Sequence, residues 1–317
     1  MAALRLRLGA VLATLIAAGS LAACGGGGGG AEATGPTRVV KHAMGETKVP
    51  ETPKRVVVLD TDKLDTMASL GLTPVGAARG DQQTGWPAYL GERFQKVEPV
   101  GTLKEPSLEA IKKLRPDLIL GSKFRQEALY PKLAAIAPTV FTEKVGLTWK
   151  ENFLLDADAL NKKAEAEKVL AGYHQRAKDL GAKLGDPAKV KVSILRFMPG
   201  TIRMYGPQSF SGIVVADTGI GRPEHQLLAD AKDKRFAELS AERLKEADGD
   251  VLFVSAYGAQ AAKDQQAAAA GPLWKTLEAV KSGNAHVVDD DIWMTGIGPT
   301  AAGLILDDLQ KHVHPAK

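Results

Sequence analysis

Short unbroken apolar runs alternate along this chain with segments whose apolar residues recur every three to four positions, the contrast that separates buried strands from amphipathic helices. Arg55–Leu59 (RVVVL) reads as a buried strand, Asp60-Thr61-Asp62 then offers capping side chains, and Lys63–Leu70 reads as a helix closed by Gly71. Thr73–Ala77, Leu118–Leu120 and Thr139–Phe141 read as further strands, with helices over Ser107–Leu114 and Glu127–Ala135 between them. Strands separated by helices imply an α/β unit with parallel strands.

From Thr148 to Leu184 the pattern becomes helical: Trp149, Phe153, Leu160, Ala164, Val169, Leu170, Tyr173 and Leu180 recur at helical spacing, with no strong breaker before Gly181 and Asp186-Pro187. This span predicts one or two long helices. A second alternating region follows, with strands at Lys191–Arg196, Val251–Val254 and His286–Val288 and helices near Ser211–Thr218, Ala241–Ala247, Leu273–Val280 and Thr300–Val313. The fold class is therefore α/β: two lobes, 38–147 and 187–317, around a helical span, 148–186. An internal echo supports two related lobes. Ser107–Leu120 (SLEAIKKLRPDLIL) and Ser240–Phe253 (SAERLKEADGDVLF) align without a gap, each a capped helix feeding a buried strand.

The first residues follow a different logic. Arg5 and Arg7 precede an apolar core over Leu8–Ala18, and Leu21-Ala22-Ala23 places small residues before Cys24, the only cysteine. The apolar stretch is about 16 residues, short of the roughly 20 that a spanning helix needs. Residues 1–23 read as a signal peptide and Cys24 as a lipidated N-terminus, followed by a glycine-rich tether over 24–37. With that cysteine committed to lipid, stability must come from packing and not from disulfides. The formal charge of +4 is small and the lysines are scattered among acids, which argues against a nucleic-acid partner.

No reaction chemistry is apparent. The chain has no G-x-S-x-G elbow, no G-x-x-x-x-G-K-[ST] phosphate loop and no H-E-x-x-H helix, so it does not read as an enzyme. His42, His174, His225, His286, His312 and His314 are dispersed without the spacing of a metal site. No protein-held metal or cofactor is expected, and iron, if involved, arrives already chelated.

Three stretches carry a family resemblance: RVVVLDTDKLDTMASLG at 55–71, VGTLKEPSLEAIKKLRPDLILGS at 100–122 and WMTGIGPTAAGLILDDL at 293–309. They resemble the iron-siderophore substrate-binding lipoproteins of ABC importers, and the similarity extends over Val39–Val313. The resemblance implies two Rossmann-like lobes joined by a long connecting helix with a ligand cleft between them, a rigid connection that permits only slight closure, a ferric siderophore as ligand, and an ABC permease as partner. It also implies that one acid on each lobe, Glu109 and Glu242, docks onto permease arginines.

Open α/β sheets bind ligands beyond the carboxyl ends of their strands, which directs attention to residues following strands. The segment Ser193–Gly212 resembles the family's ligand-binding stretch and brings Arg196, Phe197, Arg203 and Tyr205 together. Arginine forks suit the oxygens of a ferric chelate, and the aromatics suit its organic chain. Further candidates are Tyr257 and Trp293 after second-lobe strands, Arg79, Trp86 and Tyr89 in the polar loop RGDQQTGWPAY, and Arg125 after the strand ending near Leu120. With few arginines in view, a hydroxamate siderophore of the ferrioxamine type is expected, because three hydroxamate anions neutralise ferric iron. Citrate or catecholate siderophores, heme and cobalamin are the alternative cargoes. A surface-anchored α/β enzyme and an interaction protein without a small ligand are the alternative classes. The expected molecule is a monomer, held by lipid at the outer face of a Gram-positive membrane.

Overall fold

The computed structural model describes residues 35–316. The signal peptide, Cys24 and most of the tether lie outside the described residues. The chain opens with an antiparallel hairpin, β1 (Thr37–His42) and β2 (Gly45–Pro50), which burial of Val40 and Val49 anchors to the first lobe. The hairpin was not expected, because only alternate residues face inward and the apolar pattern is correspondingly thin.

The first lobe is a five-stranded parallel sheet in the order β5-β4-β3-β6-β7, built from β3 (Val56–Val58), β4 (Gly76–Arg79), β5 (Glu98–Thr102), β6 (Leu118–Ser122) and β7 (Thr139–Thr142). Its central strands β3 and β6 are buried on both faces, which is why they read as continuous apolar runs, whereas the edge strand β5 is largely exposed. Two of its helices are α1 (Thr61–Ser69), whose N-cap Asp60 accepts from the Thr61 N–H, and α2 (Leu108–Lys113), capped by Ser107. The helix expected over Glu127–Ala135 is instead a series of short turns between Lys123 and Ala134, with Pro131 among them.

The helical span is two helices, α3 (Trp149–Ala159) and α4 (Lys163–Lys183), separated where Asn161 takes a left-handed backbone, φ 56°. Helix α3 meets α1 through buried charge: Lys63 Nζ lies 2.9 Å from Asp62 and 3.0 Å from Asp156. Burial opposes the charge on Lys63, but the two carboxylates hold it above its ordinary value; burial likewise pushes Asp156 up, against the pull of Lys63.

The second lobe has the sheet order β10-β9-β8-β11-β12: β8 (Val192–Met198), β9 (Thr201–Tyr205), β10 (Phe236–Leu239), β11 (Val251–Ala256) and β12 (Ala285–Val287). Strands β8, β11 and β12 run parallel, whereas β9 pairs antiparallel with both β8 and β10. Helices α5 (Phe210–Asp217), α6 (Gly258–Ala270) and α7 (Pro299–His312) complete it. Helix α6 escaped the pattern reading because it is alanine-rich and buries only Ala261 and Gln265, leaving little apolar period. Ala241–Ala247 forms 3₁₀ turns rather than an α-helix, and Leu273–Val280 is broken at Leu277.

Helix α7 returns to the first lobe. Asp65 of α1 accepts from the Thr300 and Ala301 N–H groups, both at 2.9 Å, and so caps α7 from 235 residues away; Ser69 meets Thr300 at 2.8 Å. A side chain at Gly298 would run into Asp65. A shared core gathers Trp149, Phe153, Tyr173, Phe210 and Trp293, with Trp149 edge-on to Tyr173 and Phe210 at 5.2 and 5.6 Å. The lobes thus join through packed helices, not through a free linker.

Candidate functional site

A cavity of about 280 Å³ lies between the lobes. On the first-lobe side it is lined just beyond the carboxyl ends of all five parallel strands: Thr61 after β3, Gly80 and Asp81 after β4, Leu103 and Lys104 after β5, Phe124 and Arg125 after β6, Val145 and Gly146 after β7. The second lobe contributes in another way. Its wall is one face of the antiparallel edge, because the register sets Arg196 opposite Arg203 and Tyr205 opposite Phe236. Tyr257 after β11 and Met294, Thr295 and Ile297 after β12 complete it.

Five cationic side chains line this cavity among the described residues: Lys104, Arg125, Arg196, Arg203 and Arg235. Each is tethered differently. Arg125 Nε donates to Asp60 at 2.8 Å, and Asp60 is itself held by Ser122 Oγ at 2.8 Å, so the outer nitrogens of Arg125 stay available to the cavity. Burial disfavours the charge on Arg125, but Asp60 more than offsets it. Arg196 is bidentate on Asp290 at 2.7 and 2.6 Å and reaches the Tyr205 hydroxyl at 3.2 Å. Arg203 lies over the Phe236 ring at 4.2 Å, its nearest carboxylate being Glu238 at 3.9 Å. Lys104 pairs with Asp81 at 2.9 Å, and Arg235 grips Asp233.

Aromatic faces accompany the cations. Phe124 is 56% exposed and lies between cations of both lobes: Arg125 of its own lobe and Arg235 of the other are 5.6 and 5.8 Å from its ring. The Tyr257 ring carries the Arg196 guanidinium at 4.6 Å. Contacts also cross between lobes at one rim, where Gln83 donates to Asp291 at 2.6 Å and the Gln82 N–H reaches the Tyr257 hydroxyl at 3.4 Å.

Of the ligand candidates from the sequence, Arg125, Arg196, Arg203, Tyr205 and Tyr257 meet at the cavity. Phe197 does not. One residue beyond Arg196, it falls on the opposite face of β8 and packs with Leu195's neighbours Met204, Leu239 and Leu252. Trp293 is fully buried, stacked on Phe253 at 4.4 Å with its indole N–H on Asp308 at 2.8 Å; its successors Met294 and Thr295 line the cavity instead. Trp86 is buried in the first-lobe core and donates to the Val97 carbonyl at 3.0 Å. Arg79 lies over the Trp86 ring at 4.9 Å and donates to the Thr84 carbonyl, bracing its loop. Tyr89 sends its hydroxyl to Asp65 at the lobe junction.

The sequence reading missed Phe124, Lys104, Arg235 and Phe236. A signal existed for Phe124, which sits beside the candidate Arg125; Phe236 opens the short edge strand β10, which has no apolar period, and Arg235 immediately precedes it. Glu109 and Glu242 are both exposed, each at the start of the segment that feeds the strand in the fourth place of its sheet, β6 and β11. Among the described residues no group of three or more His, Cys, Asp or Glu is placed to hold a metal ion, and no helix is long and apolar enough to cross a membrane.

Comparison with known proteins agrees with this architecture. The chain is 43% identical over 284 residues to the Bacillus subtilis protein named probable siderophore-binding lipoprotein YfiY, covering 87% of each chain. It is 32% identical to the B. subtilis Fe(3+)-citrate-binding protein YfmC, over 88% of this chain and 86% of that one. Among solved structures, Staphylococcus aureus SirA complexed with staphyloferrin B superposes with a TM-score of 0.77 at 32% identity, covering 87% of this chain and 98% of SirA. Residues 56–292 match the periplasmic binding protein family, and the chain belongs to that family, whose members bind and deliver rather than catalyse.

Proposed function

We propose that this protein is a receptor for a ferric siderophore bearing net negative charge on carboxylate oxygens, which it delivers to an ABC permease for iron uptake. The observation that carries this reading is the interlobe cavity itself, where five cations from both lobes surround exposed aromatic faces. Relatives named for siderophore and Fe(3+)-citrate binding support the class of cargo. The hydroxamate expectation was drawn from Arg79, Arg125, Arg196 and Arg203; at the cavity Arg235 stands in for Arg79, and Lys104 joins the set. Lys104 and Arg235 are each paired with a carboxylate, Asp81 and Asp233, so the net charge offered to a ligand rests chiefly on Arg203; a neutral ferric trishydroxamate can accept hydrogen bonds from the arginines but gains nothing from that net charge. The forks of Arg125 and Arg203, each with nitrogens free of a close carboxylate, match carboxylate oxygens. The iron is cargo, held by the chelator's own oxygens, and the protein need supply no metal ligand. Cys24 would hold the receptor by lipid at the outer face of the membrane.

Calorimetric titration of the tether-free protein with ferric dicitrate, a ferric triscatecholate and ferrichrome tests the reading. Calorimetry suits this cleft because all four tryptophans are buried and none of them lines the cavity. Anionic chelates should bind tightest, and Arg203→Gln should weaken them about 10- to 100-fold, the value of a hydrogen bond to a charged group. Preferential binding of ferrichrome would restore the hydroxamate assignment, and no binding by any chelate would remove the receptor reading.

A further inference from the structure

Arg196 stands at the centre of the cleft wall, yet it has little left to offer an anion. Its Nε and Nη2 are both spent on Asp290, Nη1 faces the Tyr205 hydroxyl, and one face of the guanidinium is covered by Tyr257. Asp290 is fixed in turn by Ser255 Oγ at 3.0 Å. Arg196 is 7% exposed, and the side chains of the pair are 9% and 12% exposed, so solvent does little to screen them. Directly across the strand pair, Arg203 contrasts with it: its Nε has no partner, and its one carboxylate neighbour, Glu238, is distant at 3.9 Å and largely exposed.

Two guanidinium groups at opposed positions of neighbouring strands are close enough to repel. A carboxylate chelated to one of them removes that repulsion and also offsets one of the two charges that this strand pair turns to the cavity. We infer that Asp290 is a specificity-determining residue of the cleft: by neutralising Arg196 it makes the Arg196–Tyr257 pair an uncharged platform, and it leaves charge selection on this wall to Arg203. Asp290 itself acts through Arg196 and is a positioning residue. This assignment rests on the anionic-chelate reading and adds to it a prediction about the ratio of affinities, which a merely structural role would not move.

The test compares wild type and Asp290→Asn, titrated with ferrichrome, ferric dicitrate and a trianionic ferric triscatecholate. Uncovering the charge on Arg196 should raise the affinity of the triscatecholate relative to ferrichrome at least about tenfold, as expected for one added charge several ångströms from the ligand at intermediate dielectric. The dicitrate should shift in the same direction by less. The double variant Arg196→Gln/Asp290→Asn removes a neutral pair, and should weaken all three chelates while leaving their ratio within about twofold. That variant keeps the question answerable if Asp290→Asn does not fold. Equal weakening of every chelate by Asp290→Asn, or a collapse of the anion preference in the double variant, overturns the assignment while leaving the receptor reading intact. Wild type that binds none of the three overturns both.

Discussion

Side chains one position apart in this protein do unrelated work. Arg196 faces the cleft and Phe197 the core, and Trp293 is sealed in the core while Met294 and Thr295 line the cavity. Strand alternation explains the first case, and the second follows from the stacking of Trp293 on Phe253. Trp293 is therefore expected to contribute to stability rather than to recognition. A Trp293→Phe variant keeps the stacked ring but takes the donor from Asp308, and should lower the unfolding free energy by about 1–2 kcal/mol. Chelate affinity measured on the folded variant should stay within about twofold of wild type; a loss comparable with that of Arg203→Gln would return Trp293 to the ligand site.

At the level of elements, the junction of α1 with α7 decides how the two lobes meet. Asp65 is buried where it caps α7, and burial raises its carboxyl to about 6 despite the N–H groups of Ala301 and Thr300 that favour the charged form. A raised carboxyl means that the folded state binds this proton before the unfolded chain does as pH falls. Its linkage contribution therefore opposes stability above about pH 6 and is relieved as the pH drops towards 4. Asp65→Asn abolishes that titration. The difference in unfolding free energy, wild type minus Asp65→Asn, should therefore rise on acidification from pH 7 to pH 4, by up to about 3 kcal/mol for a shift of about two pH units. Denaturant unfolding at several pH values measures it, and a flat difference profile would refute the buried-acid account.

For the molecule as a whole, the docking reading of Glu109 and Glu242 separates ligand capture from delivery. The cavity draws on the carboxyl ends of the first-lobe strands and an antiparallel face of the second, whereas Glu109 and Glu242 lie exposed at equivalent places on the two lobes. Replacing both by Ala should leave chelate affinity within about twofold and reduce iron uptake in cells about tenfold or more, as expected for the loss of two complementary interface charges. Unchanged uptake would show that docking lies elsewhere on the surface.

Hydrophobic periodicity was sufficient to reveal two α/β lobes, the helices between them and most strands, since buried strands and amphipathic helices leave patterns a few residues long. The elements it missed are those with weak local patterns: the opening hairpin, the edge strands β5 and β10 and the alanine-rich α6. About half of the ligand candidates reach the cavity for the same reason. A residue's type and strand can be read locally, but the face it presents depends on pairing register and on which layer packs against it. The tether that quenches Arg196 comes from Asp290, 94 residues away, and the cap on α7 from Asp65, 235 residues away. Such partners are chosen by how the lobes pack, because the free energy of burying a charge is determined by its neighbours in space and not by those along the chain.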